Sequence, residues 1–243
     1  MSFQLSSPNY KINSAAKRFL RYHPKYSHQI EEKLVSAPEI SLWEYLDYPR
    51  LYNELIGSKL NHENFLLLKR QLKHSHIRFK HQFEYSDECY YRLLSDILKI
   101  VQIKNIKANY IIHQIDFEEY INSNLNLLFD NLTRFSVGML EAPWRTLYPY
   151  LSENLCINGV SNNEERWTFL ETEFKIRHGN LILKDFKFSV QQYDGKMAII
   201  YVEYRIKAHQ KSTPRPLRLK ILAKYSIHVW QIVELVSHEI FNI

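Results

Sequence analysis

The fold turns on LILKDFKFSVQQYDGKMAIIYVEYRIKA, residues 181–208, in which apolar residues return at every second position. Successive side chains of a strand point to opposite faces. Phe186, Phe188 and Val190 therefore share one face, while Asp185, Lys187 and Ser189 share the other. The same period sets Ile200, Val202, Tyr204 and Ile206 against Glu203, Arg205 and Lys207. Between the two runs stands Tyr193-Asp194-Gly195-Lys196, and an Asp-Gly pair between alternating runs signals a hairpin. Downstream, past the longer loop QKSTPRP, the stretch LRLKILAKY places Leu217, Leu219, Ile221, Ala223 and Tyr225 opposite Arg218, Lys220 and Lys224. One face is apolar and the other charged, the pattern of an antiparallel sheet covered on a single side. The last stretch, SIHVWQIVELVSHEIFNI (residues 226–243), then reads as a closing strand with Trp230 in its middle.

Working outward, the period lengthens to three and four. In FEEYINSNLNLLFDNLTRFSVGML, Ile121, Leu125, Leu128, Leu132 and Phe135 make one helix face. PWRTLYPYLSENL and NNEERWTFLETEF read as two shorter helices, the first opened by Pro143. Earlier still, helical spacing runs through Leu42, Tyr45 and Leu46, then Leu51, Leu55 and Ile56. It resumes with Phe65, Leu68 and Leu72 and with Tyr90, Leu93, Leu94, Ile97, Leu98 and Val101. Ser41 and Glu44 have the spacing of a capping box. The expectation is an α+β protein: a mainly α-helical basic region over residues 1–115, then three helices and a curved antiparallel sheet over 116–243.

The second half resembles the nuclear transport factor 2-like superfamily, the cone-shaped α+β fold that also includes ketosteroid isomerases and polyketide cyclases. LYPYLSENLCINGV is similar to the family's passage from helix to short early strand, DGKMAIIYVEYRI to its central strand, and YSIHVWQIVELVSHEI to its closing strand. The resemblance implies an apolar cone, here lined by Phe186, Phe188, Val202, Tyr204, Tyr225 and Trp230. It implies, for the family's enzymes, an Asp or Glu base with a Tyr or acidic donor projecting inward. The inward positions offer Tyr204 and Tyr225 but no carboxylate, since Asp185, Glu203 and Glu234 fall on charged or mixed faces. Tyr148, Tyr150 and Glu171 on the helices, with Tyr204, are the remaining catalytic candidates, and the balance is against an enzyme.

Other chemistries find little material. The five glycines are too dispersed for any phosphate-cradling loop, and no cofactor is implied. Cys89 and Cys156 make neither a CxxC site nor a disulfide framework, which fits a reducing, intracellular compartment, cytoplasm or nucleus. No apolar run approaches the ~18 residues of a membrane span. The first thirty residues carry Lys11, Lys17, Arg18, Arg21 and Lys25 with no acid before Glu31; they read as a basic first helix from about Ser14 to Tyr22, with organelle import as the alternative. His74, His76, His81 and Cys89 would suit a metal only if His74 and His76 lay on a strand, and the spacing around them reads helical. His228, Glu234 and His238 would spread over about 33 Å of one strand. No metal site is expected.

Charge is uneven. The net charge is +6, with 17 basic and 12 acidic side chains in residues 1–117 against 15 and 14 in the remainder. LLLKRQLKHSHIRFKHQF, residues 66–83, gathers Lys69, Arg70, Lys73, Arg78 and Lys80 with three histidines and no acid. Arg205, Lys207, Arg218, Lys220 and Lys224 make a second cationic set on the sheet's charged face. The leading reading is a non-enzymatic binding or assembly protein that docks a protein partner, or a second copy of itself, through one of these surfaces. The alternatives are a small-molecule enzyme or carrier of the isomerase, dehydratase or cyclase kind, and nucleic-acid or anionic-surface binding through residues 69–85, where Phe79, Phe83 and Tyr85 would stack on bases.

Overall fold

The computed structural model of the chain describes residues 10–47, 62–121, 123–179, 181–208 and 213–241. The helical spacing noted at Leu51, Leu55 and Ile56 and part of the QKSTPRP loop lie outside them. The strands of the described residues are β1 (Tyr10–Ile12), β2 (Glu39–Ser41), β3 (Ile77–Lys80), β4 (Glu84–Tyr85), β5 (Gln102–Lys104), β6 (Ile111–Asp116), β7 (Leu151–Ile157), β8 (Val160–Ser161), β9 (Ile182–Tyr193), β10 (Met197–Lys207), β11 (Arg215–Ser226) and β12 (Val229–Val236). The protein is α+β, and it divides into two compact units: Met1–Gln82 with Tyr90–Ile121, and Phe83–Cys89 with Asn122–Ile243.

The first unit is helical where spacing and caps agree. Asn13 caps the helix Ser14–Tyr22 by accepting from the Ala16 amide at 2.8 Å. Pro24 opens the helix Pro24–Ser36, suited to a first turn that has no amide bond to lose. The Ser41–Glu44 capping box forms in both directions, at 3.1 and 3.0 Å, and starts the short helix Leu42–Tyr45. The unit is less purely helical than its spacing suggests. β1, β6 and β3 form one small sheet, with β3 parallel to β6, and β2 pairs with β5 in another. Most of these strands are three or four residues long, too short for a period of two to register. The fuller signal was β6, IIHQID, where Ile111, His113 and Ile115 are buried in alternation.

The second unit is built on one seven-stranded sheet, in the order β4-β9-β10-β11-β12-β7-β8. The alternation read in the sequence is its architecture: Ile200, Val202, Tyr204, Ile206, Leu219, Ile221 and Ala223 are each 0% exposed. The helix Ser123–Glu141 lays Leu125, Leu128, Phe129, Leu132 and Phe135 into this core. Phe129 meets Phe188, and the Trp230 indole N–H donates to the Asn124 carbonyl at 2.6 Å. Gly138 lets the helix approach Leu147, since a Cβ there would lie 2.5 Å from the Leu147 side chain.

Three expectations are corrected. The sheet is not wholly antiparallel, because β4 lies parallel to β9 and β12 parallel to β7. PWRTLYPYLSENL is not one helix; a 3-10 helix, Trp144–Tyr150, gives way to β7 at Leu151. The final stretch is not one strand. β11 runs to Ser226, Ile227 and His228 form a two-residue turn at φ 50 and 63, and β12 starts at Val229. Such a turn normally takes Asn-Gly, so Ile-His gave no signal and its apolar Ile227 read as strand. Past Val236 the chain turns inward and buries Ile240 and Phe241. Phe241 packs near Trp144 and Trp167, and Asn158 fastens the segment, donating to the Phe241 carbonyl at 2.8 Å and accepting from the Ser237 amide at 2.9 Å.

Candidate functional site

The basic run of residues 66–83 is not one helix. The helix His62–His74 ends at His74, the chain reverses through His76 at φ 55, and β3 runs back along β6. This reversal folds the run's cations toward one another. Lys69 and Lys73 from the helix, His76 from the turn, Arg78 and Phe79 from β3, His81 beyond it, and Tyr90 from the helix Asp87–Ile100 line a cleft of about 390 Å³ in the first unit. Leu72 and Ile77 form its apolar floor.

Behind the cleft lies Glu118, only 4% exposed, whose Oε1 accepts from the Gln82 amide at 3.0 Å. Its charge acts on both Tyr90 and His81. Burial first, and Glu118 second, push the Tyr90 hydroxyl far above its ordinary range. His81 is held below its ordinary value chiefly by desolvation, with Glu118 acting upward and Lys69 downward. The surrounding rings are engaged. Lys69 Nζ sits 4.0 Å from the centre of Phe65, Tyr90 stacks on Phe117 at 4.9 Å, and Phe79 and His81 meet Phe117 edge-on at 5.6 and 4.7 Å. Of the other cations read here, Lys80 pairs with Asp116 at 3.2 Å and Arg70 is exposed on the helix. Lys73 and Arg78 are exposed and make no ion pair among the described residues.

The cations on the sheet's outer face are arranged otherwise. Lys187, Glu203 and Arg218 sit side by side on β9, β10 and β11. Lys187 reaches Glu84 at 3.4 Å, Arg218 reaches Glu203 at 3.1 Å, and Arg205 lies 3.7 Å from Asp185. The Arg218 amide also donates to Glu239 at 2.8 Å. This row alternates in sign across the strands, so each of these cations faces an acid. Lys220 is half-buried, Lys207 likewise, and Lys224 is exposed.

The residues read as cone lining lie in the second unit and pack on one another in part. Phe188, Val202, Tyr204 and Trp230 are buried, and Phe186 and Tyr225 are half-buried. Phe186 contacts Phe188 and Tyr204, at 5.2 and 6.4 Å, and Tyr225 contacts Trp230 at 5.3 Å. The four catalytic candidates are not gathered. Glu171 bonds to Lys175 one turn along its helix and, with Glu164, raises the half-exposed Tyr148, whose first influence is burial. Tyr150 is half-buried at the end of the 3-10 helix. Tyr204 is buried away from them beside Ser136; burial raises it far above its ordinary range, against a smaller pull from Ser136. Its hydroxyl and that of Ser136 nonetheless make no well-formed hydrogen bond. A second cleft, about 420 Å³, opens between Met139, Trp144, Phe174, Lys175 and Leu181 and contains none of these residues.

The histidines thought of as metal ligands are parted by the turn at His76, and no group of three or more metal-ligating side chains is placed for an ion among the described residues. No helix of the described residues is long and apolar enough to cross a membrane. What sequence reading missed was Glu118, which looked like one acid of a helical run and proved to be buried behind the cleft.

No protein-family model matches the sequence, and no curated protein matches it. Solved structures similar to part of the chain include a candidate ketosteroid isomerase from Shewanella frigidimarina, at 12% identity and TM-score 0.36, over 44% of this chain and 90% of that one. They include a protein of unknown function with a cystatin-like fold from Nostoc punctiforme, at 7% identity and TM-score 0.38, over 46% and 88%. An NTF2-like protein from Anabaena variabilis is similar at 14% identity and TM-score 0.34, over 47% of this chain and 88% of its own.

Proposed function

We propose that the chain is a binding protein that docks an acidic partner, most simply another protein, through the cleft of the first unit. The observation that carries this reading is the contrast between the two cationic surfaces. Arg205 and Arg218 on the sheet face acids at 3.7 and 3.1 Å, whereas Lys73 and Arg78 converge on a concavity without such partners among the described residues. Like charges one helical turn apart, as Lys69 and Lys73 are, cost a helix roughly 0.2–0.5 kcal/mol. The negative helix end compensates Lys73, but it does not account for Arg78 arriving from β3. A partner's carboxylates would relieve both.

The nucleic-acid reading loses support at the rings. Phe83, which would have stacked on a base, lies face to face with Phe129 at 3.4 Å inside the second unit. The reading is tested by fluorescence anisotropy with a labelled polyglutamate peptide and a labelled single-stranded oligonucleotide. The peptide should bind with an affinity that falls as salt rises, and Lys73→Glu with Arg78→Glu should abolish it while Lys224→Glu leaves it unchanged. Binding insensitive to the cleft substitutions, or stronger binding of the oligonucleotide, overturns it.

One observation favours the enzyme or carrier alternative: the Tyr204 and Ser136 hydroxyls, both 0% exposed and without a well-made bond. A small polar ligand would satisfy them. Native mass spectrometry tests this, since a bound carrier ligand would add a few hundred daltons, and a ligand-free mass removes the observation's force.

A further inference from the structure

Resting on the cleft as the docking site for an acidic partner, we infer that the group it is built to hold is a phosphomonoester dianion carried by that partner. Three features of the cleft point there. Its size, about 390 Å³, falls toward the small end of the range typical of small-ligand sites, roughly 300–1,000 Å³. Its rings are committed to one another and to Lys69, so no broad aromatic face is presented to a base or a planar ligand. Recognition is left to the cations.

The charge count is specific. Lys69, Lys73 and Arg78 line the cleft, and Lys80 is matched by Asp116. Lys73 and Arg78, which make no ion pair among the described residues, bring two positive charges to it, the complement of a phosphomonoester, which carries about −1.5 to −2 at neutral pH. A single carboxylate would leave one cation unmatched. The donor types agree: Arg78 offers a planar fork that pairs two phosphoryl oxygens at once, and Lys73 is a flexible point charge that closes on the third. His76 and His81 add imidazole nitrogens at the rim.

The full chain, in a phosphate-free buffer at constant ionic strength held with chloride, is titrated calorimetrically with inorganic phosphate and with glycerol 3-phosphate. Both should saturate one site. Arg78→Ala and Lys73→Ala should each weaken binding about tenfold or more, the loss of one charge-assisted hydrogen bond, with Lys224→Ala unchanged. Circular dichroism confirms that each variant is folded, and Lys73→Arg should restore most of the affinity lost in Lys73→Ala. If phosphate fails to saturate while polyglutamate binds in a cleft-dependent way, the phosphate inference falls and the acidic-partner reading stands. If neither binds, both fall. Equal phosphate binding by the double alanine variant places the ion elsewhere and overturns the inference.

Discussion

His113 sits 1% exposed in the first unit, edge-on to Tyr45 at 5.0 Å, with its Nε2 directed at the Ile106 carbonyl at 3.5 Å. Burial lowers its pKa below the ordinary 6.5, the carbonyl acts upward, and the neighbouring His76 acts downward again. A histidine whose folded pKa is depressed contributes stability that is present above the unfolded value and is lost as pH falls through the folded one. His178 in the second unit has the same sign, burial leading, and its environment fixes one tautomer. Arg215 donates to Nδ1 at 2.7 Å, so the remaining proton is on Nε2, facing the Glu239 carbonyl at 3.3 Å. Protonating His178 sets its Nδ1 proton against the Arg215 donor. Both units should therefore lose denaturant resistance as pH falls below about 6.5. His113→Gln should flatten the pH dependence of the first unit alone, read as the urea midpoint between pH 7.5 and 5 by fluorescence and circular dichroism. An unchanged pH profile in that variant would refute the assignment.

Among elements, the hairpin between β11 and β12 departs furthest from what its residues prefer. Ile227 is β-branched, 90% exposed and at positive φ, a conformation that costs an L residue about 1–2 kcal/mol. Ile227→Asn with His228→Gly should stabilise the second unit by about 1 kcal/mol or more, seen as a higher denaturant midpoint at unchanged slope. Gly138→Ala should do the opposite. The gain of about 1 kcal/mol in helix propensity is outweighed by driving a methyl into Leu147, an overpacking cost of about 1–3 kcal/mol, and the midpoint falls. These two sites also show where the sequence was legible. The strands β9 to β11 could be read residue by residue because a long period of two leaves no second interpretation. The Ser41–Glu44 cap was equally plain, being a local motif. The turn at Ile227 was not, because tertiary packing on both sides holds a conformation its residues disfavour. The cleft was half legible: its cations stood in one run, but the reversal at His76 and the burial of Glu118 depend on contacts distant in sequence.

For the whole molecule, the texture of the sequence changes near residue 116, yet the chain does not divide there. Phe83–Cys89 belongs with the second unit: β4 lines the outer edge of β9, Ser86 bonds to the Gln191 carbonyl at 2.8 Å, and Phe83 covers Phe129. Seven residues embedded in the first half thus complete the sheet of the second. Phe83→Ala should cost the second unit about 1–3 kcal/mol, less than a fully buried aromatic because Phe83 is half-buried, with little effect on the cleft, as measured by denaturation and by the anisotropy assay together. The consequence reaches the laboratory bench. A fragment begun at residue 116 would uncover the edge of the twelve-residue β9 at Ser189 and Val190, a template for pairing with other copies. It should aggregate on expression where the full chain stays monodisperse.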